Sequence, residues 1–418
     1  MANTSRQNFL DTVNHRQPEK VVVDFGSTGV TGIHALIVEK LRNYYGLEQK
    51  PVKIIEPYQM LGEIDPDLIA AMDIDVIGLI GLKNMFGIAN DDWKQHRTIW
   101  GQEVLLPGNF NYTCNANGDV LIYPEGDTSV SPCGMMPKSG YFFDAIERQG
   151  PIDDSTLTVD DNLEEYSLLT EDELSYWGKL IDHFEDSDKA LIASLGGTGL
   201  GDVAFIPGLS LRHPKGIRSV SEWYLSTLIR EDFVKELFDR QTDIAIENLK
   251  QFFSLFGNRI NAVYICGTDF GTQTSTFCSP EAFDNLWLPY YKKVNDWIHS
   301  NTEWKTFKHS CGAIEKLIPN FTESGFDILN PVQINAAGMD PVNLKKKYGD
   351  KVVFWGGGVD TQNTFAFGTP QEVKDQVKRQ CEILNENGGF VFNTVHNIQA
   401  NVPFENVIAM LEALHELR

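Results

Sequence analysis

The chain has 418 residues, 42% of them hydrophobic, and its formal net charge at pH 7 is −23. So strong an acidic excess lacks the basic surface that nucleic-acid binding requires, and it disfavours an anionic membrane surface. No apolar stretch approaches the roughly 20 residues of a membrane span, and residues 1–17 show no signal-like segment. Six scattered cysteines do not suggest a disulfide framework, so we expect a cytoplasmic protein with reduced thiols.

Short apolar or β-branched runs alternate with longer amphipathic stretches along the chain, which is the pattern of βα units. From these runs we predict eight strands, at residues 21–25, 74–80, 190–195, 262–266, 305–309, 326–329, 352–355 and 390–393. Between and after them we predict helices, two of which begin at a Ser-Pro or Thr-Pro pair, at residues 223–238, 242–256, 280–299, 370–385 and 403–417.

This alternation favours an α/β fold, a (β/α)₈ TIM barrel, over a doubly wound open sheet. We expect one domain over residues 1–418, with two domains of about 200 residues as the competing division. The alternation is interrupted after the second strand, where runs at 98–100 and 120–123 between turn residues predict a β-hairpin. The resulting insertion, about 93–172, ends in an acidic surface connection, and it forms either a lid or a surface elaboration.

Barrel enzymes carry their active sites at the C-terminal ends of the strands, so the residues after each predicted strand are the candidates. Asp269 and Asp360 are candidate catalytic acids or bases, although carboxylates in such positions also cap helices. The glycine-rich segment 196–201 suits either an anion-binding backbone or a tight turn. The polar residues predicted to bind substrate are Asp24, Asn330, Gln333 and Asn393.

His309 and Cys311 form the sharpest local feature of the sequence. In an extended strand residues i and i+2 face the same side, so an imidazole nitrogen and a thiol sulfur converge at the end of the fifth strand. Zinc takes such ligands, and a catalytic zinc site uses three protein ligands with one open position. His396 follows the eighth strand, where a barrel could bring it to the other two. The alternatives are a buried thiol beside a hydrogen-bonded histidine and an ordinary loop histidine.

Four segments resemble the uroporphyrinogen decarboxylase superfamily. HSCGAIEKLIPNFTESGFDILNPVQ resembles its H-x-C-G … G-x-D-x-L block, and KKKYGDKVVFWGGGVDTQNTFAFGTPQEVKDQVK resembles the strand, glycine turn and helix that follow. GGFVFNTVHNIQANVPFENVIAM resembles the closing block, in which a His or Cys precedes a P-x-E-N helix. SRQNFLDTVNHRQPEKVVVDF is similar to the N-terminal helix and first strand. The resemblance implies a (β/α)₈ barrel.

Two branches of this superfamily differ in their site residues. Porphyrin decarboxylases carry an arginine-rich segment after the first strand that grips the substrate carboxylates, whereas residues 26–32 here contain no arginine. The cobalamin-dependent methyltransferases use a zinc motif H-x-C … C, whose first two members match His309 and Cys311, while His396 stands where the final Cys would be. The resemblance therefore implies Zn²⁺ on these residues and methyl transfer between a small methylated substrate or thiol and a corrinoid (methylcobalamin), carried by a partner protein.

Two other functions stay open on the sequence. A lyase or decarboxylase of a small polar substrate, on the same barrel, is motivated by the missing final Cys together with Asp269, Asp360 and Gln333. A small-molecule-binding protein without catalysis is the third hypothesis. Metal analysis of the purified protein and the need for a corrinoid separate these hypotheses.

Overall fold

The computed structural model describes residues 3–418. Its strands are β1 (Val22–Val23), β2 (Val52–Glu56), β3 (Leu61–Gly62), β4 (Val76–Leu79), β5 (Lys94–Arg97), β6 (Glu103–Leu106), β7 (Tyr112–Cys114), β8 (Val120–Ile122), β9 (Gly134–Met136), β10 (Asp144–Ala145), β11 (Ala190–Ser194), β12 (Ala262–Cys266), β13 (Lys305–His309), β14 (Ile328–Asn330), β15 (Val353–Trp355) and β16 (Phe390–Phe392). Its helices are α1 (Ser5–Val13), α2 (Ala35–Tyr44), α3 (Pro66–Ala71), α4 (Glu171–His183), α5 (Val220–Ile229), α6 (Glu231–Phe256), α7 (Pro280–Leu286), α8 (Leu288–Asn301), α9 (Ile318–Glu323), α10 (Pro341–Tyr348), α11 (Thr364–Phe367), α12 (Pro370–Leu384) and α13 (Phe404–Glu416).

Eight parallel strands form the central sheet, in the order β1, β16, β15, β14, β13, β12, β11, β4. Each of them falls on one of the eight segments predicted from the sequence. With helices surrounding this nearly closed sheet, the predicted (β/α)₈ barrel is confirmed. Several observed strands are shorter than predicted, because the apolar runs continue into buried loop residues beyond the hydrogen-bonded ladder.

A carboxylate joins the first and second barrel strands. The Asp75 N–H donates to the Val23 carbonyl at 2.9 Å, and Asp75 Oδ2 accepts the Val23 N–H at 2.9 Å. The Arg418 guanidinium lies 2.9 Å from the same oxygen, and Asp75 is fully buried. Beyond this junction of β1 and β4, hereafter the seam, Gly78 lets the two segments approach closely, since a Cβ there would lie 2.0 Å from the Ser27 carbonyl oxygen. One buried side chain thus completes the barrel where a regular ladder is missing.

Side chains fill the barrel interior. Phe9 of α1 packs against Trp355 with ring centroids 5.9 Å apart, and Trp355 packs against Phe307 at 5.0 Å. Small aliphatic residues complete this layer, among them Val22 and Ile192. Because alternate strand residues face inward, the barrel is a packed core, and chemistry is restricted to its C-terminal mouth.

The predicted helices 223–238, 242–256 and 280–299 have wrong boundaries, and the first of them is divided at Arg230 between α5 and α6. The break predicted near residue 240 is absent because the sequence there contains no glycine or proline, and α6 runs unbroken from Glu231 to Phe256. The predicted helix 280–299 is instead divided at Trp287 into α7 and α8. Pro289, at the start of α8, lacks an N–H and clashes with the preceding turn, which accounts for the break. Within residues 3–418 no helix is long and apolar enough to cross a membrane.

The insertion is larger than the single β-hairpin predicted. It contributes β7–β10 to one antiparallel four-stranded sheet, and β5 and β6 to a second sheet with β2 and β3. The run 98–100, predicted as a strand, is the turn of the β5–β6 hairpin, where Thr98 Oγ1 accepts the Gln102 N–H at 3.0 Å. The run 120–123 is confirmed as β8, and the acidic segment 154–172 contains a 3₁₀ turn, Val159–Asn162.

Candidate functional site

Three side chains meet at the C-terminal mouth of the barrel. The ligand atoms of His309, Cys311 and His396 all lie within 4.8 Å of one another. His309 ends β13 with Cys311 two residues later, and His396 lies in the loop after β16. Cys311 Sγ is 3.4 Å from His309 Nε2, and the two imidazole rings are 5.8 Å apart. The structure therefore brings the three predicted metal ligands, hereafter the triad, to one point.

Backbone hydrogen bonds hold the cysteine turn in place. The Cys311 N–H donates to Asp269 Oδ1 at 2.6 Å, and the Gly312 N–H donates to Gln333 Oε1 at 2.7 Å. Gly312 has a φ of +91°, and a Cβ there would lie 2.4 Å from the Gly271 carbonyl carbon. Glycine is therefore required where the loop after β12 crosses the triad.

Asn330 fixes the orientation of the His309 ring. Asn330 lies opposite His309 in the β13–β14 register, and its Nδ2 donates to the Trp355 carbonyl at 3.0 Å. That bond turns Asn330 Oδ1 towards His309 Nδ1, 2.6 Å away, so Nδ1 carries the proton. The lone pair of Nε2 is left facing Cys311 and the mouth, which is how an outer-shell partner prepares a histidine for a metal.

The electrostatics of the triad suit a cation. Burial lowers the pKa of His396 to about 4 and also lowers the pKa of His309, so both imidazoles are neutral and can donate a lone pair. Burial raises the pKa of the Cys311 thiol well above its ordinary value, and a bound cation would stabilise the thiolate. Two imidazole nitrogens and one sulfur are donors that zinc accepts, and three protein ligands leave one position open. The donor set fits zinc.

Asp269 lies beside the triad, as its predicted catalytic role requires. Its Oδ1 is 3.7 Å from His309 Nε2 and also accepts the Cys311 N–H. Its side chain is 32% exposed, against 4% for that of His309, so the carboxylate remains open to a molecule in the mouth.

Asp360, the second predicted catalytic residue, is occupied elsewhere. Its carboxylate accepts the Gln362 N–H at 2.8 Å and side-chain amides of Asn335 and Asn363 at 3.2 and 2.9 Å. It is 6% exposed and holds the turn that leads into α11. The carboxylate thus holds the turn before α11, whose N-cap is Asn363, and a catalytic role for Asp360 stays a prediction.

The predicted substrate-binding residues mainly fix loops. Asp24 is fully buried, and its carboxylate accepts bonds from the Ser27 N–H and O–H and from Trp355 Nε1. Burial raises the Asp24 pKa to about 6. Asn393 Nδ2 donates to the Asp24 carbonyl at 2.7 Å, tying β16 to β1. Contact of Asp24, Asn330, Gln333 or Asn393 with substrate stays a prediction.

Sequence reasoning missed three polar residues near the triad. Lys308 is fully buried, and its Nζ donates to the carbonyls of Thr268 and His309 at 2.6 and 2.8 Å, so it supports the triad strand from outside the barrel. Tyr264 lies in the middle of β12, and Asp202 lies in the loop that follows β11. Tyr264 was hidden in an apolar run, and the position of Asp202 directly after the glycine-rich segment was the available signal.

Comparison with known proteins agrees with this architecture. Residues 210–417 match the family model described as uroporphyrinogen decarboxylase (URO-D). Curated relatives include the uroporphyrinogen decarboxylases of Aliivibrio salmonicida (strain LFI1238), 28% identical over 149 residues, and Vibrio campbellii (strain ATCC BAA-1116), 34% identical over 107 residues. These alignments cover 33% and 23% of this chain and 38% and 29% of the relatives. A solved structure described as a methyltransferase from Methanosarcina mazei aligns over 99% of both chains, with a TM-score of 0.54 and 13% identity, a similarity of fold.

Proposed function

The chain belongs to the uroporphyrinogen decarboxylase (URO-D) superfamily, and on this premise we propose that it is a cytoplasmic, zinc-dependent methyltransferase. It moves a methyl group between a small methylated substrate or thiol and a corrinoid carried by a partner protein. The observation that carries the proposal is the triad of His309, Cys311 and His396, converging within 4.8 Å at the barrel mouth. The similarity of fold to a methyltransferase over 99% of the chain supports it.

Different residues of the mouth would bind the metal, orient a ligand and transfer a proton. His309 Nε2, Cys311 Sγ and one nitrogen of His396 would hold the metal, and Asn330 orients the His309 ring for that role. Zinc, when bound, supplies Lewis acidity that stabilises a thiolate or improves an oxygen leaving group. The exposed carboxylate of Asp269 takes the proton of an incoming thiol, or returns a proton to the demethylated oxygen.

Porphyrin decarboxylation, the activity named for the curated relatives, has little support in this mouth. The turn after β1, residues 26–32, offers no arginine to a substrate carboxylate. The adjacent Asp24 is itself buried and fully engaged with Ser27 and Trp355. With a net charge of −23, the chain has no evident means of holding a polyanionic ring.

Methyl transfer can be tested in both directions. Methanol, small methyl ethers and methyl thioethers are offered to the zinc-loaded protein alone and then with a cobalt(I) corrinoid protein. We expect methyl-cobalt absorbance only when the corrinoid protein is present. In reverse, methylcobalamin and 2-mercaptoethanol should yield the methyl thioether and cobalt(I).

The matched variants are Cys311→Ala and Cys278→Ala, because Cys278 is a partly buried free thiol outside the triad. Cys311→Ala should abolish the transfer and Cys278→Ala should retain it. Steady consumption of a substrate without any corrinoid would contradict the proposal and favour the lyase hypothesis.

A further inference from the structure

Tyr264 of β12 lies inside the barrel, near its C-terminal mouth. It pairs in register with Phe307 of β13, and the two rings are 5.4 Å apart inside the barrel. His309 lies two residues beyond Phe307 on the same inward face, a rise of about 6.6 Å. The Tyr264 hydroxyl lies next to Gly267, past the C-terminal end of β12, which places it on the mouth side of that ring contact. Consistently, the Tyr264 pKa is raised by burial and also by nearby Asp202, Asp269 and Cys311.

The Tyr264 hydroxyl and the Asp202 carboxylate converge on one point. A Cβ at Gly267 would lie 2.6 Å from Tyr264 Oη and 2.8 Å from Asp202 Oδ2. The φ of Gly267 is not positive, so its backbone conformation does not require glycine. A side chain is excluded there because it would clash with these two polar atoms. Glycine keeps the space between them clear.

The Asp202 carboxylate keeps hydrogen-bonding capacity that the protein does not fill. Tyr264 is only partly buried, so its hydroxyl can meet a molecule bound in the mouth. Asp202 is 6% exposed, and its Oδ1 accepts the Ala204 N–H at 3.0 Å, while no side-chain donor of the described chain bonds to its carboxylate. An ionised carboxylate can accept more hydrogen bonds than backbone N–H groups supply here, so Asp202 can still accept one from a bound molecule.

The charge around this pair is negative. Burial raises the pKa of Asp202 to about 6, and the neighbouring carboxylate of Asp269 acts in the same direction. The nearby cation, Lys308, donates hydrogen bonds to the carbonyls of Thr268 and His309. A substrate group that donates hydrogen bonds, such as a hydroxyl or ammonium group, is therefore attracted, whereas an anionic group is repelled.

We infer that Tyr264 and Asp202 are specificity-determining residues, which bind the polar, hydrogen-bond-donating end of the substrate while its sulfur or oxygen lies at the triad. They exclude substrates with a carboxylate at that end. This inference rests on the proposed function, because it needs a metal at the triad, and it adds the substrate class.

The probes are three small thiols that differ at the far end: 2-mercaptoethanol with a hydroxyl, cysteamine with an ammonium and mercaptoacetate with a carboxylate. Cobalt(II) replaces zinc, so binding of each thiol is read from the thiolate-to-cobalt absorbance without any turnover. We expect mercaptoacetate to bind the unaltered protein at least tenfold more weakly than the other two, about 1.4 kcal/mol.

Two variants and two controls assign this preference. Asp202→Asn removes the charge but keeps the shape of the side chain. It should therefore strengthen the binding of mercaptoacetate and weaken the binding of cysteamine, each by about tenfold. Tyr264→Phe should weaken 2-mercaptoethanol about fivefold by removing one hydrogen-bond partner. The controls are Asp243→Asn and Tyr290→Phe, on α6 and α8, because Asp243 pairs with surface Lys293. Both controls should leave all three affinities unchanged.

The outcomes separate the two proposals. Stoichiometric cobalt binding with the same thiol preference in every variant would overturn the inference and leave the proposed function standing. Absence of cobalt binding in the unaltered protein would overturn the proposed function, and the inference with it. Each variant must bind cobalt as the unaltered protein does, which also shows that it is folded.

Discussion

Asn330 connects the packing of the barrel to the chemistry of the triad. It is 1% exposed, and its amide joins the Trp355 carbonyl to His309 Nδ1. Asn330→Ala should therefore lower zinc affinity about 10–100-fold, since the His309 ring loses both its orientation and its tautomer. Competition with a chelator of known affinity measures this, and exposed Asn109→Ala is the control. Equal zinc affinity in the two variants would show that Asn330 only packs.

Asp24 gives the stability of the fold a dependence on pH. Burial raises its pKa to about 6 from an ordinary 3.8, so the folded chain binds this proton more tightly than the unfolded chain. The stabilisation is complete below pH 3.8 and is lost as the pH rises through about 6, a change of about 3 kcal/mol. Asp24→Asn removes this titration. The Tm of the variant minus that of the unaltered protein should rise between pH 4 and 7, and a constant difference would contradict the assignment.

The seam between β1 and β4 is the structural element most dependent on one side chain. Asp75→Ala leaves the Val23 N–H without its acceptor and Arg418 without its buried partner. The free energy of unfolding should fall by about 3–5 kcal/mol, as when a buried ion pair loses one member. The neighbouring Asp73, 52% exposed, also pairs with Arg418. Asp73→Ala should lower the free energy of unfolding by less than about 1 kcal/mol. Denaturant titration of both variants measures these changes, and equal losses would refute a special role for the seam.

Sequence patterns predicted most barrel strands because buried parallel strands form nearly continuous apolar runs, and β13, with Lys305 and Lys308, is the exception. They failed for the insertion because β6 pairs with β2, joining Val104 to Val52 across a distance in sequence that no local pattern reports. They predicted the triad from the spacing of His309 and Cys311 and from the family resemblance. They missed Tyr264, because a tyrosine within an apolar strand has the same local pattern whether its hydroxyl faces packing or an open mouth.

At the scale of the whole molecule, charge decides which substrates are excluded. The chain carries 58 acidic against 35 basic side chains, and none of its arginines lies in the turn of residues 26–32. We expect no coproporphyrinogen when uroporphyrinogen is incubated with the protein, under conditions in which a uroporphyrinogen decarboxylase converts it. Chromatographic detection of coproporphyrinogen above the protein-free background would refute this exclusion.

Metal content and coordination test the central claim most directly. Protein prepared without chelators is analysed for zinc, and its X-ray absorption fine structure is recorded beside that of Cys311→Ala. We predict about one zinc per chain, with one sulfur near 2.3 Å and two imidazole nitrogens near 2.0 Å in the first shell. Cys311→Ala should lose the sulfur and most of the metal while keeping its fold. Protein without stoichiometric metal, or a first shell without sulfur, would contradict the account.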